Sequence, residues 1–494
     1  MTELLTAGPV GEGQDSGVDP WQADRVHRSP NAGMSLAFAF LGLMLTVGVC
    51  LAFLTPDQNL VAMPALTVLA IGLLFILTLA ELDSEVPIGE IGAFFVAAVT
   101  LYAVFPLVGY LLRDMSFTRQ NDPRLYYYQP GPQEMGLQGW RYVAYLLPCA
   151  AAYLLARGRT PLRADPLEAP EPGVFKAALV TTAALQILLF VYSLFYGVDA
   201  ASYAEKAQAT AAMASQVPLG LLQVASHMGL AMITLKMLIM VILFEDYRKY
   251  RAAIWIWLLA EAVLSVLQLG ARSPLIFVIL SAVFLYHRQV RQIRFWPAAA
   301  MIAAALFGYQ LFGLVRSFGT SSIAGFNLLT GPGEFESHFA TGFDIVRRRN
   351  VGSLPPVPLQ LYFGDFLALI PSQILPFQKW TGAVWYLDIL NVRSTGYGLT
   401  FGAIAESAIG FGWFDLVLRG AVLGSVFGWM CRWYARRGAS FWVTALYLYL
   451  AVNCYNSFRS SSFYWIATLW LQVLPAYWFV RLFRHRRAAG SMLG

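Results

Sequence analysis

"IGAFFVAAVTLYAVFPLVGYLL", residues 91–112, contains no charged side chain. At 1.5 Å per residue a helix of that length reaches about 33 Å, enough to cross the ~30 Å hydrocarbon layer of a bilayer. A segment in hydrocarbon must satisfy its own backbone polar groups, which leaves a helix or a closed barrel. The chain lacks the alternating ten-residue strands of a barrel, so the run reads as a transmembrane helix.

Eleven further runs read the same way: 34–55, 60–80, 140–156, 174–196, 217–244, 252–269, 273–287, 296–315, 415–431, 440–458 and 462–480. The expectation is therefore an all-α, polytopic integral membrane protein of about 12 transmembrane helices. One large external loop separates helices 9 and 10. Composition agrees: 58% of the 494 residues are hydrophobic and 13% charged, roughly half the charged share of a soluble domain. Mean hydropathy is +0.58. A water-soluble globule is excluded.

The first run is longer than a signal-peptide core and is expected to stay as a helix. Residues 1–33, rich in Gly, Asp, Pro and Gln without apolar periodicity, read as a disordered cytoplasmic tail. Residues 34–315 hold helices 1–9, and 415–494 hold helices 10–12 and a basic cytoplasmic tail. The cysteines (Cys50, Cys149, Cys431, Cys454) fall in or at the ends of runs without a CxxC pair. They imply neither a disulfide nor a metal framework.

Twelve spans put both termini on one side. The short connections and tails on that side carry eighteen basic residues, among them Arg157, Arg159, Arg163, Arg432, Arg436, Arg437 and Arg481. The positive-inside rule makes that side the cytoplasm. The net charge of +6 is then mostly a topological signal, and no nucleic-acid partner is implied. Residues 316–414 fall outside as a periplasmic loop far longer than an ordinary connection. Its Phe, Leu, Trp, Tyr and Pro content argues against disorder and for short interfacial helices.

Outside, basic residues occur where topology does not call for them. Arg272 stands at the outer end of helix 7, Arg316 leaves helix 9, and Arg459 sits in the turn before helix 12. Lys379 and Arg393 lie in the loop, and Arg419 about one turn inside helix 10. Guanidinium groups suit phosphate oxygens; the bland alternative is snorkelling to headgroups, which is the preferred reading of Arg347–Arg349. Loop carboxylates that could accept a proton are Glu334, Glu336, Asp344, Asp365, Asp388 and Glu406, and His338 is the one external histidine. No set with metal-ligand spacing lies outside. Within the membrane, His227, Lys236 and Glu261 stand out. Lys236 and Glu261 sit at matching depths and read as a structural ion pair.

"GYGLTFGAIAESAIGFGWFDL", residues 396–416, is too interrupted to cross a bilayer and too apolar for a solvated loop. Together with "LALIPSQILPFQKW" (367–380), "LGARSPLIFVIL" (269–280) and "LVRSFG" (314–319), it resembles the Wzy-type O-antigen polymerases, which are related to the O-antigen ligases. Pro371, Pro376 and Lys379, then Glu406 and Phe411-Gly412, match the family pattern. Ser372, Trp380, Ala408 and Gly410 depart from it. The resemblance implies a metal- and cofactor-independent glycosyltransferase of the bacterial inner membrane, polymerising undecaprenyl diphosphate-linked oligosaccharide repeat units at the periplasmic face. Glu406, Arg316 and Arg393 are then the catalytic candidates, with Arg272, Arg459, Lys379 and His338 binding substrate. A chain-length regulator and a flippase are the implied partners, beside membrane lipid. An O-antigen ligase, a polysaccharide or lipid transporter and an export scaffold remain open alternatives.

Overall fold

A computed structural model describes residues 54–83, 89–113, 129–159, 173–196, 219–267, 272–291, 334–367, 381–391, 400–438 and 440–478, with a few single positions besides. Helix makes up 85% of the structure, and no strand occurs among the described residues, as the all-α expectation requires. The 1–33 tail, most of the 34–55 run and nearly all of the 296–315 run lie outside the described residues.

The body is built from α1 (Pro56–Asp83), α2 (Ile91–Leu112), α3 (Pro132–Arg157), α4 (Val174–Tyr196), α5 (Leu219–Glu245), α6 (Tyr247–Leu267) and α7 (Arg272–Leu285). Among the described residues, α1, α2 and the later α12 (Trp413–Arg437) are long and apolar enough to cross a membrane. Shorter apolar helical stretches run over Val174–Leu189, Phe277–Val290 and Phe441–Asn453. The outward faces are apolar as well: Leu155 is 83% exposed, Ile256 68% and Trp429 59%. So many large apolar side chains facing outward suit lipid better than water. The helices thus form a body compatible with a membrane.

Small residues set the closest approach. Gly420, Gly424 and Gly428 of α12 lie against the backbone carbonyls of Tyr145, Cys149 and Tyr153 of α3, so close that a Cβ on any of them would overlap. Without a hydrophobic driving force between helices in lipid, such small-residue seams are what allow tight packing. Partner numbers rise together in steps of four, so α3 and α12 run parallel. Gly136 and Gly139 of α3 meet Leu60 and Pro64 of α1 in the same sense. These three helices share one direction.

Two buried ion pairs lie within the body. Lys236 Nζ of α5 lies 2.8 Å from Glu261 of α6, each residue 5% exposed, which is the pairing that matching depth suggests. Glu90, at the start of α2, takes the guanidinium of Arg157 at the end of α3, with a 2.9 Å bond from Nε, and accepts a 2.8 Å bond from Tyr153 Oη.

The segment between the seventh and twelfth helices continues as α8 (Glu334–Asn350), a 3-10 turn (Leu359–Phe363), α9 (Gly364–Leu367), α10 (Gly382–Ile389) and α11 (Gly402–Ile409). Of these short helices, α8 packs into the body: Phe335 stacks on Phe105 and Phe339 on Tyr142. A satellite core of Ile345, Trp385, Tyr386, Phe401, Ala405 and Ile409 ties α8, α10 and α11 together. The described residues continue through α12, α13 (Phe441–Asn453), α14 (Asn456–Arg459) and α15 (Tyr464–Thr468), the last continued by a π turn, Leu469–Val473, and by helical residues 474–478.

Candidate functional site

The described part of the interrupted stretch, residues 400–420, resolves into two helices and a turn. α11 ends at Gly410, whose N–H donates to Glu406 O at 3.0 Å, while Gly412 N–H reaches back to Ser407 O at 2.8 Å. Gly412 has φ +66° and Gly402, which opens α11, φ +74°; both conformations are costly for any residue with a Cβ. The last carbonyls of α11 are then covered from outside. Arg349 Nη1 donates to Ala408 O and, at 2.8 Å, to Gly410 O. Tyr362 Oη donates to Ile409 O at 2.8 Å. A cation over a helix C-terminus also meets the negative end of its dipole.

This fixed short helix presents Glu406. Its Oε2 accepts from Arg419 Nη1 at 2.7 Å, from Ser462 Oγ at 2.7 Å and from Ser462 N at 3.1 Å. Arg419, one turn and a half into α12, is held on its other edge by Asp415, Nε to Oδ1 3.0 Å. Three separate segments therefore converge: α11, the start of α12, and the turn after α14. A cavity of about 420 Å³ opens beside them. Its polar wall is Glu406, Arg419, Arg459, Ser460 and Ser461, and its apolar wall includes Tyr362, Phe366, Phe401, Phe463 and Tyr464. The cavity lies at the end of α12 remote from the Arg432, Arg436 and Arg437 cluster.

Of the residues expected to act, Glu406 and Arg459 line this cavity. Arg272 begins α7. Arg316, Lys379 and Arg393 lie outside the described residues. His338 is 1% exposed on the inward face of α8, its ring 5.0 Å from those of both Tyr102 and Phe458; it is not part of the cavity wall. Among the other loop carboxylates, Glu336 pairs with Arg113, and Asp344 accepts from Tyr386 Oη at 2.6 Å and Arg348 Nε at 2.7 Å. Arg347 also approaches Asp344, at 3.9 Å. The snorkelling reading of Arg347–Arg349 is thus replaced by protein partners, because a carboxylate and two helix-end carbonyls stand within their reach.

Asp415, Ser460, Ser461 and Ser462 stand around Glu406, Arg419 and the cavity and are not among the site residues expected from the sequence. The available signals are modest: Asp415 and Arg419 stand four apart on one helix face, and Arg459 opens the run Arg-Ser-Ser-Ser. Comparison of the chain with protein-family models, with curated proteins and with solved structures finds no match.

Proposed function

We propose that the protein is a membrane glycosyltransferase that polymerises undecaprenyl diphosphate-linked oligosaccharide repeat units into a surface polysaccharide at the periplasmic face. The observation that carries the reading is the cavity joining Arg419, Arg459 and Glu406 at the body's end opposite its arginine-rich connections. In the reaction, a hydroxyl of one lipid-linked repeat attacks the anomeric carbon of the growing glycan. A glycosidic C–O bond forms, the C–O bond to the lipid diphosphate breaks, and the hydroxyl proton goes to a base. Negative charge grows on the leaving diphosphate, and fixed guanidinium groups stabilise it at that moment.

Arg419 and Arg459 fit the cationic part, and Arg272, Arg316, Arg393 and Lys379 complete it in this proposal. Glu406 fits best as the group that holds Arg419 in place. Its Oε2 is already engaged by Arg419 Nη1 and by the hydroxyl and backbone N–H of Ser462. The aromatic wall of Tyr362, Phe366, Phe401 and Tyr464 suits sugar faces.

The test is a deletion strain whose surface glycan is run on a gel. Glycan capped at a single repeat is the expected result. Long chains retained on the lipid carrier would assign the protein to the ligases, and unchanged glycan would remove it from the pathway.

A further inference from the structure

A second cavity, about 440 Å³, lies near the arginine-rich end of the body and has no part in the site above. Four helical segments border it: α5 through Thr234 and Leu238, α12 through Trp433, α13 from Trp442 to Tyr449, and the last helix from Leu469 to Tyr477. The π turn Leu469–Val473 supplies part of the wall. Such single turns widen a helix and are frequent at functional sites.

The wall is almost wholly hydrocarbon and aromatic, while the rim is cationic. Arg436 and Arg437 stand one turn beyond Trp433 on α12, on the same face. Arg481 stands one turn beyond Tyr477, donates to its hydroxyl at 2.7 Å and covers its ring. Arg436, Arg437 and Arg481 are all exposed. Two of the bordering helices therefore end in arginine one turn past an aromatic lining residue. The cavity's almost wholly apolar lining suits hydrocarbon chains.

We infer that this groove is a binding site for an anionic glycerophospholipid of the adjacent leaflet, its acyl chains between α5, α12, α13 and the last helix and its phosphate at Arg436, Arg437 and Arg481. The site is independent of the reaction proposed above. Basic pockets between transmembrane helices recognise acidic headgroups by this combination, at about fivefold in affinity for each arginine near the surface.

The experiment uses the full chain in phosphatidylcholine nanodiscs, with a phosphatidylglycerol carrying a diazirine near the end of one acyl chain. Irradiation is expected to label peptides containing Trp433–Tyr449 and Leu469–Tyr477. Unlabelled phosphatidylglycerol should compete at least about tenfold better than phosphatidylcholine. Arg436→Gln, Arg437→Gln and Arg481→Gln together should remove that preference, and Leu446→Trp, which fills the groove, should remove the labelling. Equal competition by the two lipids, labelling spread over the whole apolar surface, or stronger competition by a polyprenyl phosphate would overturn the assignment. If a variant fails to fold, the competition on the unaltered protein decides alone.

Discussion

Arg419 is the residue around which the site is organised. Its guanidinium meets Glu406 on one edge and Asp415 on the other and lines the cavity. A lysine there would keep the charge but not the forked geometry. Arg419→Lys is therefore expected to abolish polymer almost as fully as Arg419→Ala, with membrane abundance unchanged for the lysine variant. A headgroup-snorkelling arginine, by contrast, would accept lysine freely. Glu406→Gln should reduce polymer output by one to two orders of magnitude, as expected of a lost positioning contact in a transition-state site (~10²). If Glu406→Gln gave normal polymer, Arg419 would not need its partner. The buried pair Lys236–Glu261 behaves differently. Removing either partner strands a charge in a low-dielectric interior, at a cost of about 3–5 kcal/mol, while removing both is milder. Thermal unfolding of Lys236→Met, Glu261→Gln and the double variant should show that order, with the double variant above either single one. Single variants that fold normally yet lose activity would make the pair functional.

At the scale of elements, two features control the site from a distance. The first is the glycine seam of α12 against α3. Gly424→Ala puts a methyl group into the carbonyl of Cys149, and overpacking of this kind costs about 1–3 kcal/mol. A lower unfolding midpoint and lower abundance are expected, with any activity loss in proportion. An unshifted midpoint would mean that the helices separate easily. The second is the cover on α11, where Arg349 satisfies two carbonyls that no helical N–H can reach. Arg349→Ala should cost about 1–3 kcal/mol locally and loosen Glu406, so that activity falls more than global stability. Matched losses in both would reduce Arg349 to an ordinary stabilising contact.

The long apolar helices were legible in the chain because length and hydropathy suffice for them: α1, α2 and α12 need no partner to declare themselves. Glu406 and Arg459 were legible through short motifs and their place in the order of segments. The Glu406–Arg419–Asp415 grouping was not, since it depends on the turn at Gly410–Gly412 bringing the next helix back to α11. Nor was the burial of α8, because the phenylalanines that anchor it look the same whether they face lipid or a neighbouring helix. His338 shows the converse. Its chemistry attracts a functional reading, and its packing between Tyr102 and Phe458 does not require one.

Over the whole molecule, orientation decides whether the cavity meets periplasmic substrates at all. Ser353 is exposed in the turn after α8, on the side of the candidate site. Cys149, Cys431 and Cys454 are buried and should give little background, and Cys50 is changed to Ser in the labelling background. Ser353→Cys is thus expected to react with an impermeant thiol reagent in intact cells, and labelling only after membrane rupture would invert the topology. The central claim, that this cavity polymerises lipid-linked repeats, is met most directly by the repeat-length distribution of surface glycan in a deletion strain complemented with Arg419→Lys and, separately, Arg459→Lys, at matched membrane abundance. The account predicts long polymer from the unaltered gene and glycan stopped at or near one repeat from both lysine variants. Polymer of normal length from both would contradict it.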